Sequence, residues 1–323
     1  MARRVAARGG TGTARWLLGR LGNAVIVMWA AATAVFVAVS LIPGDPVEAA
    51  LGGPGSQASA ATVEATRERL GLDRPLIVQY FSQLLRMATG QWGDSYAQRI
   101  PVAEVIGQAL PATAVLAVAA LLAAWAIALT LTVLAALGGR RGRLVTSAVG
   151  MVAASLPHFW LGLVLVAVFA TGLGWLPAVS DGGGAGLVLP VLTLALPLGG
   201  YLAQTMLDGV ADAEATAFAL SARARGERRG GLLWRHTLRH AVLPAVALSS
   251  WAAGTLIGGA VVVETVFARP GLGRVLLSAV TQRDAPVIVA VVVVTAVVFI
   301  VLGFLGDAAA RWVDPRGREA TSR

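Results

Sequence analysis

Ala222-Arg223-Ala224-Arg225-Gly226 opens a basic stretch that ends in Trp234-Arg235-His236-Thr237-Leu238-Arg239-His240-Ala241-Val242-Leu243-Pro244. It lies between two long apolar runs and carries six arginines, Arg223, Arg225, Arg228, Arg229, Arg235 and Arg239. Lipid on either side puts this loop at a membrane surface, and short loops rich in Arg stay on the cytoplasmic side. Ala222, Ala224 and Gly226 leave a patch almost bare of side chain, onto which another backbone or a bulky partner residue can close. Trp234, Leu238 and Ala241 recur at i, i+4 and i+7 as one apolar face, and Arg228, Arg235 and Arg239 form a basic one. Gly230-Gly231 interrupts the run, so the stretch predicts two short helices with a bend between them. Pro244 is placed to open the next membrane helix, where its missing N–H costs little. By spacing alone the stretch equally suits a basic amphipathic loop resting on anionic lipid.

The rest of the chain sets the solvent. Its 323 residues are 57% hydrophobic and only 13% charged, with a mean hydropathy of +0.74. A soluble domain of this size has no use for so much apolar surface, which makes the chain an integral membrane protein. The net charge of +9 would suit nucleic acid, but the arginines cluster between apolar runs and at the termini. The expected partner is therefore the lipid bilayer, with no nucleic acid. There is no Cys, which excludes disulfides, thiolate chemistry and Cys-ligated zinc. All 26 basic residues are Arg, and a P-loop needs Gly-x4-Gly-Lys-Ser/Thr with the Lys on the phosphates. If ATP drives this protein, the ATPase is another polypeptide, and no cofactor is expected on this chain.

Residues 1–20 are short and basic. The uncharged run from Leu21 to Ile42 spans roughly 33 Å at about 1.5 Å per residue, enough for the hydrocarbon core. It is too long for a signal-peptide core and has no clear cleavage site, so it predicts an uncleaved first membrane helix with its N-terminus inside. Pro43-Gly44-Asp45-Pro46 ends that helix. The segment to Gln108 balances seven acids against five arginines, which suits the outer side, with short amphipathic helices over Thr62–Leu70 and Leu76–Met87. Five more membrane helices are predicted: Ala112–Leu137, Leu144–Ala170 with a break near Pro157, Leu187–Met206, Pro244–Val263 and Val287–Leu305. Residues 138–143 and 207–243 fall inside, with the C-terminus; residues 43–108, 171–186 and 264–286 fall outside. The expectation is an all-α integral membrane protein of six transmembrane helices. It divides into an N-terminal helix with an extracytoplasmic segment (1–109) and a five-helix core (110–316) holding the loop 207–243. Pro157, Pro190 and Pro197 suit irregular helices that line a pathway, and Gly254-x3-Gly258 is a close-packing pattern.

Catalytic chemistry finds little support. His236 and His240 lie at i, i+4, but a zincin needs Glu where Thr237 stands. With no acid beside them in sequence and six arginines nearby, no metal is expected. His158 suits a packed or cavity-lining position, and no Gly-x-Ser-x-Gly elbow lies in a strand–helix context, so a hydrolase has no footing. Glu264 follows the uncharged run 244–263. It is either an interfacial carboxylate that meets water or pairs with Arg269, or a gate or docking residue near a translocation path.

The opening stretch resembles the cytoplasmic coupling loop of binding-protein-dependent ABC permeases. It is most like the B-type permeases of dipeptide and oligopeptide importers, the peptide/nickel family. Their pattern runs Ala-Arg-Ala-Lys-Gly, then Arg-His-Ala-Leu-Arg-Asn-Ala, with a Pro eighteen residues after the Gly; Gly226 and Pro244 keep that spacing. Arg225 replaces the Lys, His240 the Asn, and Leu220-Ser221-Ala222 the Glu-Ala-Ala. Further matches are Leu70-Gly71-Leu72-Asp73-Arg74-Pro75, Gln79-Tyr80, Gly93-Asp94-Ser95, Ser155-Leu156-Pro157-His158-Phe159-Trp160, Leu173-Gly174-Trp175-Leu176-Pro177, Glu264-Thr265-Val266-Phe267, Pro270-Gly271-Leu272-Gly273-Arg274 and Arg283-Asp284-Ala285-Pro286. Asp314-Pro315-Arg316 closes the chain as in the family, although Gly303 and Ala310 stand where it has Asn and Tyr.

The resemblance implies a type I ABC importer permease fold and a multi-pass protein of the bacterial inner membrane, not an enzyme. Implied partners are a second homologous permease, two ATPase subunits holding ATP and Mg, and an extracytoplasmic substrate-binding protein. Ala222, Arg223, Ala224, Arg225, Gly226, Arg235 and His236 would form the ATPase-coupling surface, and Glu264, Arg269 and Asp284 would be gate or docking residues. Di- or oligopeptides are the implied cargo, with nickel, glutathione or another small solute as alternatives. A secondary transporter would need paired mid-membrane charges and an inverted repeat, neither clear in the sequence. A scaffold or receptor without transport would leave the Ala222–Gly226 pattern unexplained. Purified without partner subunits, the chain is expected to hydrolyse no ATP; substantial turnover measured in such a preparation would overturn that expectation.

Overall fold

The computed structural model describes residues 8–41, 45, 47–48, 51, 58–180 and 183–313. The turn expected at Pro43, Gly44 and Pro46 and the closing Asp314-Pro315-Arg316 lie outside the described residues. Twelve helices follow one another among the described residues: α1 (Arg8–Leu41), α2 (Ala60–Leu70), α3 (Leu76–Ala88), α4 (Val102–Leu137), α5 (Gly139–Ser155), α6 (His158–Leu165, wound on as a π-helix to Gly172), α7 (Ala185–Glu214), α8 (Ala217–Ala224), α9 (Arg229–Leu232, joined through the π-helical Leu233–Thr237 to α10), α10 (Leu238–Val266), α11 (Leu272–Thr281) and α12 (Ala285–Val313). Among the described residues the one β element is an isolated bridge between Asp94 and Pro101.

Among the described residues four helical stretches are long and apolar enough to cross a membrane unbroken: Leu18–Leu41, Val102–Leu137, Ala185–Glu214 and Ala285–Gly306. Two bent pairs complete six crossings if each pair is one span: Gly139–Ser155 with His158–Gly172, bent by 105°, and Arg229–Ser249 with Trp251–Val266, bent by 50°. The first bend is the break expected near Pro157. Leu156 and Pro157 are both extended, with ψ of 126° and 133°, because the proline ring pushes the residue before it out of the helical region. Pro190 and Pro197 behave otherwise: both are buried inside an unbroken α7, so they make no irregular helix. Neighbouring helices tolerate a proline at such depth.

Several predicted boundaries move. The loop expected over Gly138–Arg143 shrinks to Gly138, and Arg140, Arg141 and Arg143 ride on the first turns of α5. Pro244 lies inside α10 and does not open it. The bend expected at Gly230-Gly231 falls instead between α8 and α9, at Arg225–Arg228. Gly258 has nothing within 4 Å of a built Cβ, so the Gly254–Gly258 pattern marks no contact there. The neighbouring Gly259 is the close one, its Cβ falling 2.9 Å from Leu194.

The chain divides into two compact units. One takes in the described residues up to Ala109 together with Val275–Ile300. In it α1 meets α3 through Tyr80, whose hydroxyl is 2.8 Å from Thr33 Oγ1 and whose ring stands edge-on to Phe36 at 5.3 Å. Arg67 pairs with Asp45.

The other unit takes in Leu110–Arg274 and the described residues from Val301. Its core is centred on α7, whose Leu189, Leu194, Leu198, Leu202, Met206 and Val210 are buried. Facing them are Ala120, Ala124 and Ala128 of α4, and Ala241, Ala245, Ala252 and Ala260 of α10. Large apolar side chains point the other way: Leu122 is 67% exposed, Leu144 64% and Val152 60%. Small residues within and large ones without is the pattern of helices packed for close approach in lipid.

Gly200 shows how close. A Cβ built there would lie 2.5 Å from Gly150 O and 2.8 Å from Ala154 N, both backbone atoms that cannot swing aside. Gly200→Leu is expected to cost about 1–3 kcal/mol or more of stability, read as a lower thermal unfolding midpoint in detergent. Gly22→Leu on α1, where nothing lies within 4 Å, should leave the midpoint unchanged.

Candidate functional site

The basic stretch folds around two acids. α8 ends in a Schellman turn: Gly226 N–H donates to Arg223 O at 2.9 Å and Glu227 N–H to Ala222 O at 3.2 Å. Gly226 takes φ +83°, the left-handed conformation that this cap requires and that glycine adopts without strain. The turn reverses the chain so that Leu232 closes over Ala219 and Ala222, all three buried. Ala222 therefore packs against its own chain, while Arg225 and Gly226 stay exposed. A Cβ at Gly226 meets nothing within 4 Å.

Glu214, at the end of α7, lies 3.3 Å from Arg143 and 3.0 Å from Arg223, and so ties the first turn of α5 to α8. Glu227 sits 3.2 Å from His236 Nε2 and 3.9 Å from Arg235. The histidine pair thus has an acid beside it after all, brought there by the Schellman turn. The ring of Phe218 stacks on His240 at 5.3 Å. Arg225, Arg228 and Arg239 are exposed and join no ion pair among the described residues. The apolar face expected from Trp234, Leu238 and Ala241 is shifted. The buried positions are Leu233, Thr237 and Ala241, while Trp234 is 63% exposed. The π-helical turns over Leu233–Thr237 change the residue count per turn, which a 3.6-residue period cannot anticipate. Glu214 and Glu227 escaped the sequence reading; the one signal was at Glu227, a lone acid among the arginines of the loop, whereas Glu214 follows Asp208 and Asp212.

At the far end of α10, Glu264 is fully buried. Thr113 Oγ1 donates to its Oε1 at 2.6 Å and Gly273 N–H to its Oε2 at 2.7 Å. Leu272 N–H donates in turn to Thr113 Oγ1 at 2.8 Å. A Cβ on Gly271 would sit 2.2 Å from the carboxyl carbon, so the Pro270–Gly273 turn is moulded to this side chain. The carboxylate neither meets water nor forms an ion pair with Arg269: burial places it inside the chain. Arg269 is also buried, its Nη1 donating to Ser180 Oγ at 3.0 Å and its Nη2 to Ala112 O at 3.4 Å.

In the other unit Asp284 is buried at the start of α12. It accepts from Ser95 Oγ, from Tyr96 N–H at 3.1 Å and from Ala97 N–H at 3.2 Å. Two separate sequence motifs, Gly93-Asp94-Ser95 and Arg283-Asp284-Ala285-Pro286, are thereby joined by one carboxylate. Burial pushes the Tyr96 phenol above its ordinary value, Arg86 pulling it back and Asp284 raising it further. Its hydroxyl stays neutral across the physiological range.

Buried donors stripped of an acceptor cost about 1–3 kcal/mol each. Glu264→Ala orphans the Thr113 hydroxyl and the Gly273 amide together, and should lower the unfolding midpoint of the purified protein more than Glu264→Gln, which keeps the shape and one acceptor oxygen. Equal midpoints for Glu264→Ala and the parent would show that these bonds do not hold the turn.

The chain is similar to known transport proteins along most of its length. Residues 128–319 match the family described as binding-protein-dependent transport system inner membrane component, and residues 13–117 match its N-terminal membrane component. The glutathione transport system permease protein GsiC of Salmonella choleraesuis is 33% identical over 304 residues, covering 93% of this chain and 97% of that protein. Its counterpart in Pectobacterium atrosepticum is 34% identical over 304 residues, covering 93% and 96%, and that of Escherichia coli K12 is 32% identical over 303 residues, covering 93% and 97%. A crystal structure of an amino acid ABC transporter with histidines matches with a TM-score of 0.52 at 16% identity, covering 64% of this chain and 94% of that one, and shows the shared fold. By these matches the chain belongs to the binding-protein-dependent transport system inner membrane components: it is a multi-pass permease subunit of an ABC importer of the peptide/nickel type, a transport component and not an enzyme.

Proposed function

We propose that this subunit forms part of the membrane path of an importer for short peptides, and that glutathione, itself a tripeptide, is the first cargo to test. The observation that carries this reading is the 33% identity to a glutathione permease along 93% of the chain. Di- and oligopeptides stay in the same class because they present the same amide and carboxylate groups. Uptake of labelled glutathione, a labelled dipeptide and nickel, measured side by side in cells carrying the complete importer, tests it. Uptake of nickel alone would overturn the peptide reading.

The assembly in this reading holds a second homologous permease, two ATPase subunits that carry ATP and Mg, and an extracytoplasmic binding protein that delivers cargo. Both termini and the loop 207–243 lie in the cytoplasm, a placement supported by the arginines at 138–143 and 222–239. Within the ATPase-coupling set the geometry supports a division of labour. Ala224, Arg225 and Gly226 are exposed and meet the ATPase. Ala222, Arg223, Arg235 and His236 hold them in place through Leu232, Glu214 and Glu227. Glu264, Arg269 and Asp284 act as internal posts for the turns they bond and do not touch cargo. Closure of the ATPases would move α8 and alternate the path between outward and inward access.

Gly226 separates docking from capping. Gly226→Glu adds bulk and charge at the contact, where overpacking costs about 1–3 kcal/mol, and about 1.4 kcal/mol is tenfold in an equilibrium. Uptake should fall at least about tenfold while the protein remains in the membrane. Gly226→Asn tolerates the left-handed cap yet still adds bulk. Reduced uptake and reduced ATPase association in both variants support docking; normal uptake in Gly226→Asn would leave capping as the glycine's role and refute docking.

A further inference from the structure

α3 wears its polarity inside out. At about 100° per residue, Leu84, Ile77, Ala88, Phe81, Leu85 and Val78 fall on one arc of about 120°, with no charged or hydrogen-bonding side chain among them. That arc faces away from the chain: Ile77 is 63% exposed, Phe81 61% and Leu85 66%. The opposite side carries the polar residues Gln79, Ser82, Gln83 and Arg86 beside Leu76 and Met87, with Gln79, Ser82 and Gln83 half-buried. Gln79 Nε2 donates to Arg74 O at 2.7 Å and to Leu72 O at 3.3 Å. Gln83 and Arg86 line a recess of about 680 Å³ together with Arg69 and Arg99. A helix covering a water-bathed surface shows the reverse arrangement, so the medium outside α3 is apolar.

The neighbour of α3 says which apolar medium. Tyr80 bonds Thr33 and packs on Phe36 of α1, and α1 is a membrane span with only 11% of its most apolar window buried by the chain. Thr33 lies eight residues before Leu41, about 12 Å along the helix at about 1.5 Å per residue. α3 is therefore held beside the end portion of a membrane helix, which itself exposes Val37 and Leu41, 48% and 76% exposed.

We infer that α3 is an interfacial helix seated in the bilayer, with Ile77, Val78, Phe81 and Leu85 among the acyl chains of the leaflet in which α1 ends near Leu41. Gln83 and Arg86 face the water of the recess. Interfacial helices bind by such a buried apolar face with polar groups held at headgroup level. The seat gives the segment between α1 and α4 a second membrane attachment and keeps the arginine-lined recess against the membrane surface. Nothing in this assignment depends on which cargo is carried.

The chain has no Cys, so single labels are clean. Ile77→Cys, Phe81→Cys, Leu85→Cys and, as a control, Gln83→Cys are spin-labelled in the full chain with its partner subunits, reconstituted in phosphatidylethanolamine–phosphatidylglycerol vesicles. Collision with oxygen, which concentrates in lipid, is compared with collision with a water-soluble nickel chelate. The expected result is oxygen collisions exceeding chelate collisions at 77, 81 and 85, with the order reversed at 83. Chelate collisions dominating at 77, 81 and 85 would show a water-facing helix. Shielding of those three labels from both reagents would show a second protein covering the face. Either result overturns the assignment. Should Phe81→Cys fail to assemble, the flanking Ile77→Cys and Leu85→Cys carry the same comparison, and the readout needs no uptake activity.

Discussion

Close approach of backbones through alanine and glycine is the constraint on which the larger unit rests. In lipid, apolar helices gain nothing from leaving solvent for one another, so what holds them is dispersion at short range and the few hydrogen bonds that cross between them. α7 meets both demands. Gly199 and Gly200 bring it against α4 and α5 with no room for a Cβ, and Gln204 reaches across to Ser147 O at 2.8 Å. Trp125 of α4 does the same toward Ser249 of α10 at 3.0 Å. Between such contacts the alanine stripes of α4 and α10 let α7 sit deep, with 61% of its most apolar window buried.

Charge is organised with the same economy. The chain holds 26 basic against 17 acidic residues, and four of the acids take up organising positions. Glu214 and Glu227 brace the arginine loop, while Glu264 and Asp284 each gather donors from separate segments. Glu264 and Asp284, both buried, are hydrogen-bonded on both oxygens, as an isolated charge in a dry interior could not persist. In the basic loop Arg225, Arg228, Arg229 and Arg239 are exposed and join no ion pair among the described residues.

What the sequence made legible follows from which physics is local. Uncharged runs long enough to cross a membrane are visible in one dimension, and so were the spans around α4, α7, α10 and α12. The break at Pro157 was equally visible, since a proline acts on the residue just before it. Helix ends were less so: Val102 to Leu110 and Leu207 to Glu214 continue their helices past the apolar run, because a helix extending beyond lipid needs no apolar side chains. The π-helical turns at Leu233–Thr237 left no mark, so Trp234 was placed on the wrong face. The bend was sought at Gly230-Gly231 because paired glycines break helices, yet the left-handed cap formed at the single Gly226, where an alanine-rich turn ends. The proximity of Glu227 to His236, and of Asp284 to Ser95, depends on chain reversal and lies beyond any local pattern.

The clasp at Glu264 has a mechanical corollary. One carboxylate holds the Thr113 hydroxyl of α4 on one oxygen and the Gly273 amide on the other, and the same hydroxyl accepts from Leu272. Pulling the turn away from α4 therefore cannot proceed one bond at a time. Losing the Leu272 contact frees the hydroxyl to rotate, which weakens its grip on Oε1, and a weakened carboxylate holds Gly273 less well, since linked hydrogen bonds polarise one another. The junction behaves as a snap fastener with two positions, closed or open, and little that is stable in between.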